Sequence, residues 1–451
     1  MRASRVVVAI VLVILVALTP ASLFAVSVAR FSDSMHAAAP GREWQPADEG
    51  DHYPSGREWW NVDAFLTTES GTRWSLTASF EYEMETPACN LFLTLFNLDT
   101  GQRYRLGSYV DPIGTLAHAK GEVNLHYGAS WMAGSYPVYD VHFERRGVRV
   151  TLHYEACTPP RYVADSISHG ILPMGVGHYV YGFIPRCDVT GVLIINNSTH
   201  QVLGVGYYEH VWGNWTYGNP LRNPSDLEGI LSAYVNLAGW WLSHRSMPPP
   251  SSIGLATESN MFGYDWIWAA FDNGWSMFYG NLPFWVYEGP AFGILYLVSE
   301  DGEYHVFSDI SYTYGELRYV PAHDVYYPTS VHLQAQNGNQ RLSLTCSMAC
   351  DVHTYLDTNL SSPYWRAIYL WESPGPVEGT YSHGSTTVLL NGTCEIEPMR
   401  QVSALGHNRL RVGLGDSPGL ELQAVSHFWR WGFDFCLRVY PRPAVRLRFM
   451  I

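Results

Sequence analysis

The sequence predicts an all-β fold arranged as two consecutive domains, and three observations predict it. From Glu58 onward, apolar or alternating runs rich in Val, Thr, Tyr, Phe and Trp are separated by Gly, Asn and Asp turns. The 451 residues exceed the usual size of one domain, and the strand pattern breaks once, between 216 and 262. Composition agrees, with 47 % apolar and 14 % aromatic against 15 % charged residues, enough to build large cores. Many short strands at regular spacing mean sandwiches or up-and-down barrels, and closing a barrel removes the edges such strands otherwise expose.

Taken in order, the N-terminus reads as an export segment. Arg2 and Arg5 precede the uninterrupted apolar run Val6 to Leu18, and Ser27-Val28-Ala29 offers small residues for cleavage. Left uncleaved, Val6 to Ala29 is long enough to span about 30 Å of hydrocarbon. Residues 1–29 are thus a signal peptide or a membrane anchor. The rest is expected outside the cytoplasm, secreted or held at the membrane through residues 6–29. The first β domain is expected over 48–215, with strands such as Trp74 to Tyr82, Asn90 to Asn97, Val148 to Glu155 and Val202 to Tyr208. Turns at Glu69-Ser70-Gly71 and Asp99-Thr100-Gly101 join them. Residues 216–262 read as a linker holding one helix, because Leu227, Ile230, Leu231, Tyr234, Leu237 and Trp241 recur at helical spacing. That helix would be a lid, a membrane-touching element or a cap on one barrel. The second β domain, 263–451, repeats the strand theme from Trp266 to Asp272 onward, with turns at Asp272-Asn273-Gly274 and Asp301-Gly302.

Charge and residue usage exclude several functions. With 27 basic against 41 acidic side chains the formal net charge is −14, and nucleic-acid partners, which need clustered Lys and Arg, are not expected. Lys120 is the only lysine; no Walker A loop precedes it, and Schiff-base chemistry would have to rest on it alone. Seven cysteines are too few for a disulfide framework in a chain of this length. Cys346, Cys350 and His353 lack a fourth ligand nearby for structural zinc, so no metal is expected. Gly415-Asp416-Ser417-Pro418-Gly419 fits a nucleophile elbow in letters only, since a strand, Leu420 to Val425, follows where an elbow needs a helix.

Three segments join carboxylates to paired aromatics. Arg57-Glu58-Trp59-Trp60-Asn61 opens the first strand set, Tyr207-Tyr208-Glu209-His210-Val211-Trp212-Gly213 closes it, and Gly263-Tyr264-Asp265-Trp266 opens the second. Strand alternation puts Tyr208, His210 and Trp212 on one face and Tyr207, Glu209 and Val211 on the other. A histidine beside a carboxylate suits acid/base work, and equally a satisfied core histidine in an aromatic cluster.

These segments, with Tyr179 and Tyr181 before Val189-Thr190-Gly191 and with Trp371-Glu372 before Gly379-Thr380, resemble in order the AttH family. That family includes the bacterial carotenoid 1,2-hydratases and is similar in fold to lipocalins. The resemblance covers about residues 54 to 400; Glu209 stands where the family has Asp, and Ser373 departs from its Trp-Glu-Gly. It implies two lipocalin-like (calycin-type) β-barrels, a long hydrophobic ligand such as an isoprenoid, carotenoid or lipid, and no cofactor. Matched by position, Asp265 would be the acid that protonates an alkene, His210 the base or water-orienting group, and Trp212 and Tyr264 the wall that stabilises the cation. A desolvated aromatic face is worth about 2 kcal/mol to such a cation. Glu58, Trp59, Trp60, Tyr208, Glu209 and Trp266 would line the ligand. Three functions fit: a cofactor-free hydro-lyase, a non-catalytic lipid carrier, or a cyclase-type enzyme that shapes a polyene.

Overall fold

The computed structural model describes residues 43–84, 87–163, 171–174, 177–214, 263–282, 289–290, 292–307, 309–320, 325–349, 353–357, 365–403, 409–412, 420–425, 432–439 and 445–450. The expected export segment 1–29, the helix expected in 216–262 and the segment Gly415 to Gly419 lie outside the described residues, as does the side chain of Tyr264.

The described chain is all-β, two antiparallel sheets forming a half-barrel and a nearly closed barrel. The principal strands, numbered in chain order, are β1 (Arg57–Thr68), β2 (Arg73–Glu83), β3 (Ala88–Asn97), β4 (Val138–Arg145), β5 (Val148–Ala156), β6 (Gly177–Ile195) and β7 (Ser198–Asn214) in the first sheet. The second holds β8 (Gly263–Phe271), β9 (Ser276–Leu282), β10 (Phe292–Val298), β11 (Tyr304–Phe307), β12 (Asp309–Val320), β13 (Val325–Asn337), β14 (Gln340–Ser347), β15 (Ser373–His383) and β16 (Thr386–Ser403). Arg409–Val412, Leu420–Val425, Gly432–Val439 and Val445–Met450 pair in a separate four-stranded sheet.

Both large sheets share one device: the first strand of each pairs with its last long strand, β1 with β7 and β8 with β16. Short terminal strands, Arg103–Arg105 and Leu116–Ala117, end the first sheet's path and limit its exposed edges. Alternation is legible in β5, whose Val148, Val150, Leu152 and Tyr154 are buried while the residues between them are exposed. Gly71 (φ +85°) and Gly274 (φ +84°) sit in the expected turns, in the left-handed region that favours glycine.

Alternation also sorts the core into three layers. Trp60, Val62, Ala64, Leu66 and Phe80 fill the first barrel with Tyr139, Phe143 and Tyr154; Ile267, Ala269, Tyr279, Leu295 and Ile396 fill the second. Between them, the outer faces meet in an aromatic seam of Tyr181, Phe183, Tyr207, Trp266, Trp268 and Phe278. Phe65 stacks on Trp268 at 4.5 Å, and the Trp268 indole N–H donates to the Pro185 carbonyl at 3.0 Å. Burying both faces explains the high aromatic content: strands at the seam have no polar side to spend.

Candidate active site

Pairing of β1 with β7 brings two sequence-distant motifs together. Arg57 faces Gly213, Glu58 faces Trp212 and Trp60 faces His210. Opposed and diagonal residues on one face are neighbours. Glu58, Trp60, His210 and Trp212 therefore share one patch at the end of the first barrel.

Glu58 and His210 are both 0 % exposed. His210 Nε2 lies 2.8 Å from Glu58 Oε1, and its Nδ1 lies 2.7 Å from the Asp48 backbone carbonyl. A carbonyl only accepts, so Nδ1 carries a proton. Glu58 accepts the His52 backbone N–H at both oxygens, 3.0 and 2.9 Å, and the Tyr82 hydroxyl at 2.5 Å; His52 Nδ1 is 2.9 Å from Oε1. Burial raises this carboxyl, but the hydrogen bonds and charge of His210 and His52 outweigh it and hold it at about 2. With Glu58 held as a carboxylate, Nε2 stands in place to donate to it. Both ring nitrogens of His210, expected to act as base or water-orienting group, thus face acceptors.

Aromatic rings enclose the pair. Trp60 stacks on His210 at 4.6 Å, His52 stacks on Trp212 at 3.9 Å, and Trp212 stands 4.7 Å from His210. The His52 side chain, 24 % exposed, is the network's solvent-facing member. Beside it, Asp51 pairs with His118 at 2.6 Å. Deeper, Tyr208 stacks on Tyr139 at 4.3 Å, and its buried hydroxyl makes no hydrogen bond among the described residues. His52, Glu58 and His210 could in principle chelate, since their ligand atoms lie within 4.8 Å of one another and a backbone carbonyl orients His210.

Glu209 and Trp59 point the other way, as alternation requires. The Trp59 indole N–H donates to Glu209 at 2.8 Å, the Tyr207 hydroxyl donates at 2.8 Å, and the Tyr181 hydroxyl also donates. Trp266 joins this seam, 5.5 Å from Tyr207. Asp265, next along β8, faces the second barrel, where the Tyr314 hydroxyl donates to it at 2.5 Å and Asp265 raises the buried Tyr279 phenol after burial itself. The structure thus brings together Glu58, Trp60, Tyr208, His210 and Trp212, and separately Trp59, Glu209 and Trp266. Asp265 and His210 it does not bring together, because the packed outer faces of the two sheets stand between them.

His52, Asp48 and Tyr82 were not foreseen. Asp48 ends a single 3-10 turn, Pro46–Asp48, and His52 follows it before the first strand, both too short for periodicity to say anything; the cue was a His six residues before Glu58. Tyr82 sits opposite Glu58 in β2 and shares its face only once that register is known.

No protein-family model and no curated protein sequence matches the chain. Solved structures do. A protein assigned to AttH from Nitrosomonas europaea is 14 % identical, with a TM-score of 0.50 over 80 % of this chain and 98 % of that one. Kievitone hydratase from Nectria haematococca is 13 % identical, with a TM-score of 0.51 over 81 % of this chain and 94 % of that one. The chain has the lipocalin-like, two-barrel fold of these AttH-type proteins.

Proposed function

We propose that the protein is a cofactor-free hydratase that adds water across a C=C bond of a long apolar substrate at the mouth of the first barrel. The observation that carries this reading is the buried His210–Glu58 pair among Trp60, Trp212 and His52, in which His210, facing acceptors at both ring nitrogens, would act as an imidazolium. An imidazolium is a proton donor of moderate strength, and a dry site strengthens its action on an apolar partner. His210 Nε2 would give its proton to one alkene carbon as the π pair forms the C–H bond. The carbocation left on the other carbon would lie against the Trp60 and Trp212 faces. Water then adds its oxygen lone pair to that carbon and returns a proton through Glu58 to His210. The sum is alkene plus water giving an alcohol, with the pair restored. The barrel below is filled by Phe80, Tyr139, Phe143 and Tyr154, all 0 % exposed, so the reacting end is met at the mouth and not swallowed. The kinship in fold with a hydratase supports the reaction class.

The test incubates the purified protein with an acyclic carotene in heavy-oxygen water. Label in a tertiary alcohol, lost in Glu58→Gln and His210→Gln and kept in Asp265→Asn, is the expected result. Label lost only in Asp265→Asn would move the acid to the second barrel. Extraction of an unchanged apolar ligand with no labelled alcohol would make the protein a carrier.

A further inference from the structure

Unsatisfied polar chemistry also lies away from the barrel mouth, at the other end of the seam. A cleft of about 490 Å³ opens there between the sheets, within the size range of small-molecule sites. Phe65 and Val205 of the first sheet and Ala270 and Phe271 of the second form its apolar floor; Arg186 and Thr393 add polar groups, and Asp272 and Glu300 stand at its exposed rim.

Arg186 is placed by a distortion of β6. The β6–β7 register slips between Ile184 and Cys187, so Pro185 and Arg186 form a bulge, a device that re-aims side chains. The bulge is pinned on both sides: Trp268 donates to the Pro185 carbonyl, and the Cys157 N–H donates to the Arg186 carbonyl at 3.0 Å. Among the described residues the Arg186 guanidinium makes no ion pair, and its Nη1 is buried without a hydrogen-bond partner. Arg186 itself is half-buried, and a buried donor nitrogen is costly unless an acceptor meets it.

We propose that this cleft binds a monocarboxylate with an apolar tail, the carboxylate on Arg186 and the tail on Phe65, Val205, Ala270 and Phe271. A guanidinium matches a carboxylate in plane and donor spacing. Asp272 and Glu300 make the rim acidic, which disfavours a dianion such as a phosphate ester and leaves room for a single negative charge. The cleft is separate from the barrel mouth. Phe65 lies seven residues along β1 from Glu58, about 23 Å at strand rise, and on the opposite face. Binding in the cleft therefore does not depend on chemistry at the barrel mouth.

Octanoate is the probe, titrated into the full chain by calorimetry, with octylamine as the control of opposite charge. Saturable octanoate binding that weakens at least tenfold in Arg186→Gln, while octylamine gains no such dependence on Arg186, is the expected result. Thr393→Phe, which fills the cleft and keeps the guanidinium, should weaken octanoate equally, and unchanged thermal melting shows that the variants remain folded. Octanoate binding unaffected by both variants, as for a ligand held at the barrel mouth, would overturn the proposal, and so would the absence of saturable binding.

Discussion

The barrel mouth and the seam between the sheets each bury a glutamate, Glu58 at 0 % and Glu395 at 3 % exposure. Their charge states diverge. Glu58 collects donors from His52, His210 and Tyr82 and sits at about 2. Among the described residues Glu395 receives only the Ser75 and Thr77 hydroxyls, at 3.2 and 3.1 Å, and burial pushes it up to about 7 despite those bonds and the charge of Arg103. Its neighbour Asp63 is raised well above the ordinary value by burial, then by Glu395, Glu209, Glu372 and Glu397. Burial raises both glutamates; the number and charge of the donors decides which one stays ionised. One site is built to keep a charge, the other to keep a proton.

The largest effect should come from breaking the charged site. His210→Ala leaves Glu58 buried without its His210 partner, which costs roughly 3 to 5 kcal/mol. Urea unfolding at pH 7 reads it, and a loss below 1 kcal/mol would mean that the pair behaves as a surface ion pair. The pH dependence follows in sign. Glu58 has its folded pKa below the unfolded value of about 4.5, so its contribution is present above 4.5 and lost as pH falls from there through about 2. In the wild type, stability should drop across that window, and His210→Ala should flatten the drop.

Much of this arrangement was legible in the chain and part was not, for physical reasons. Alternation assigned Tyr208, His210 and Trp212 to one face and Tyr207, Glu209 and Val211 to the other, and the structure keeps that division. A two-residue period gives a face but not its neighbour. At β8 both faces are buried, Trp266 and Trp268 in the seam and Ile267 and Ala269 in the second barrel, so apolarity could not say which side Asp265 would take. The contact of Trp60 with His210 joins the first and last strands of a sheet, a non-local pairing that no short window holds. The bulge that aims Arg186 is a register slip, visible only once β6 and β7 are paired.

The seam should respond with the opposite sign. Glu395 has its folded pKa raised, so its stabilising neutral form is fully present below about 4.5 and lost as pH rises to about 7. Glu395→Gln keeps one acceptor oxygen for a hydroxyl, offers its amide N–H to the other hydroxyl, which can accept, and cannot ionise. It should stabilise the protein at pH 8 by on the order of 2 kcal/mol and leave it nearly unchanged at pH 4.5. Equal stability at both pH values in variant and wild type would show that Glu395 titrates normally and that the contrast with Glu58 is false.

The smallest effect isolates a single donor. Thr77→Val keeps the shape of the side chain and removes one of the two hydroxyls that hold Glu395. A hydrogen bond to a charged acceptor is worth about 1.5 to 3 kcal/mol and one to a neutral acceptor about 1. The valine variant should therefore be destabilised more at pH 8, where Glu395 is ionised, than at pH 4.5, where it is not. The difference between the two, about 1 kcal/mol, is the charge-dependent part of that one bond. It has the sign that donor number requires: taking a donor from the seam moves Glu395 still further from Glu58, raising its pKa. A larger loss at pH 4.5 than at pH 8 would mean that Thr77 serves the seam by packing alone, and that burial without donors sets the state of Glu395.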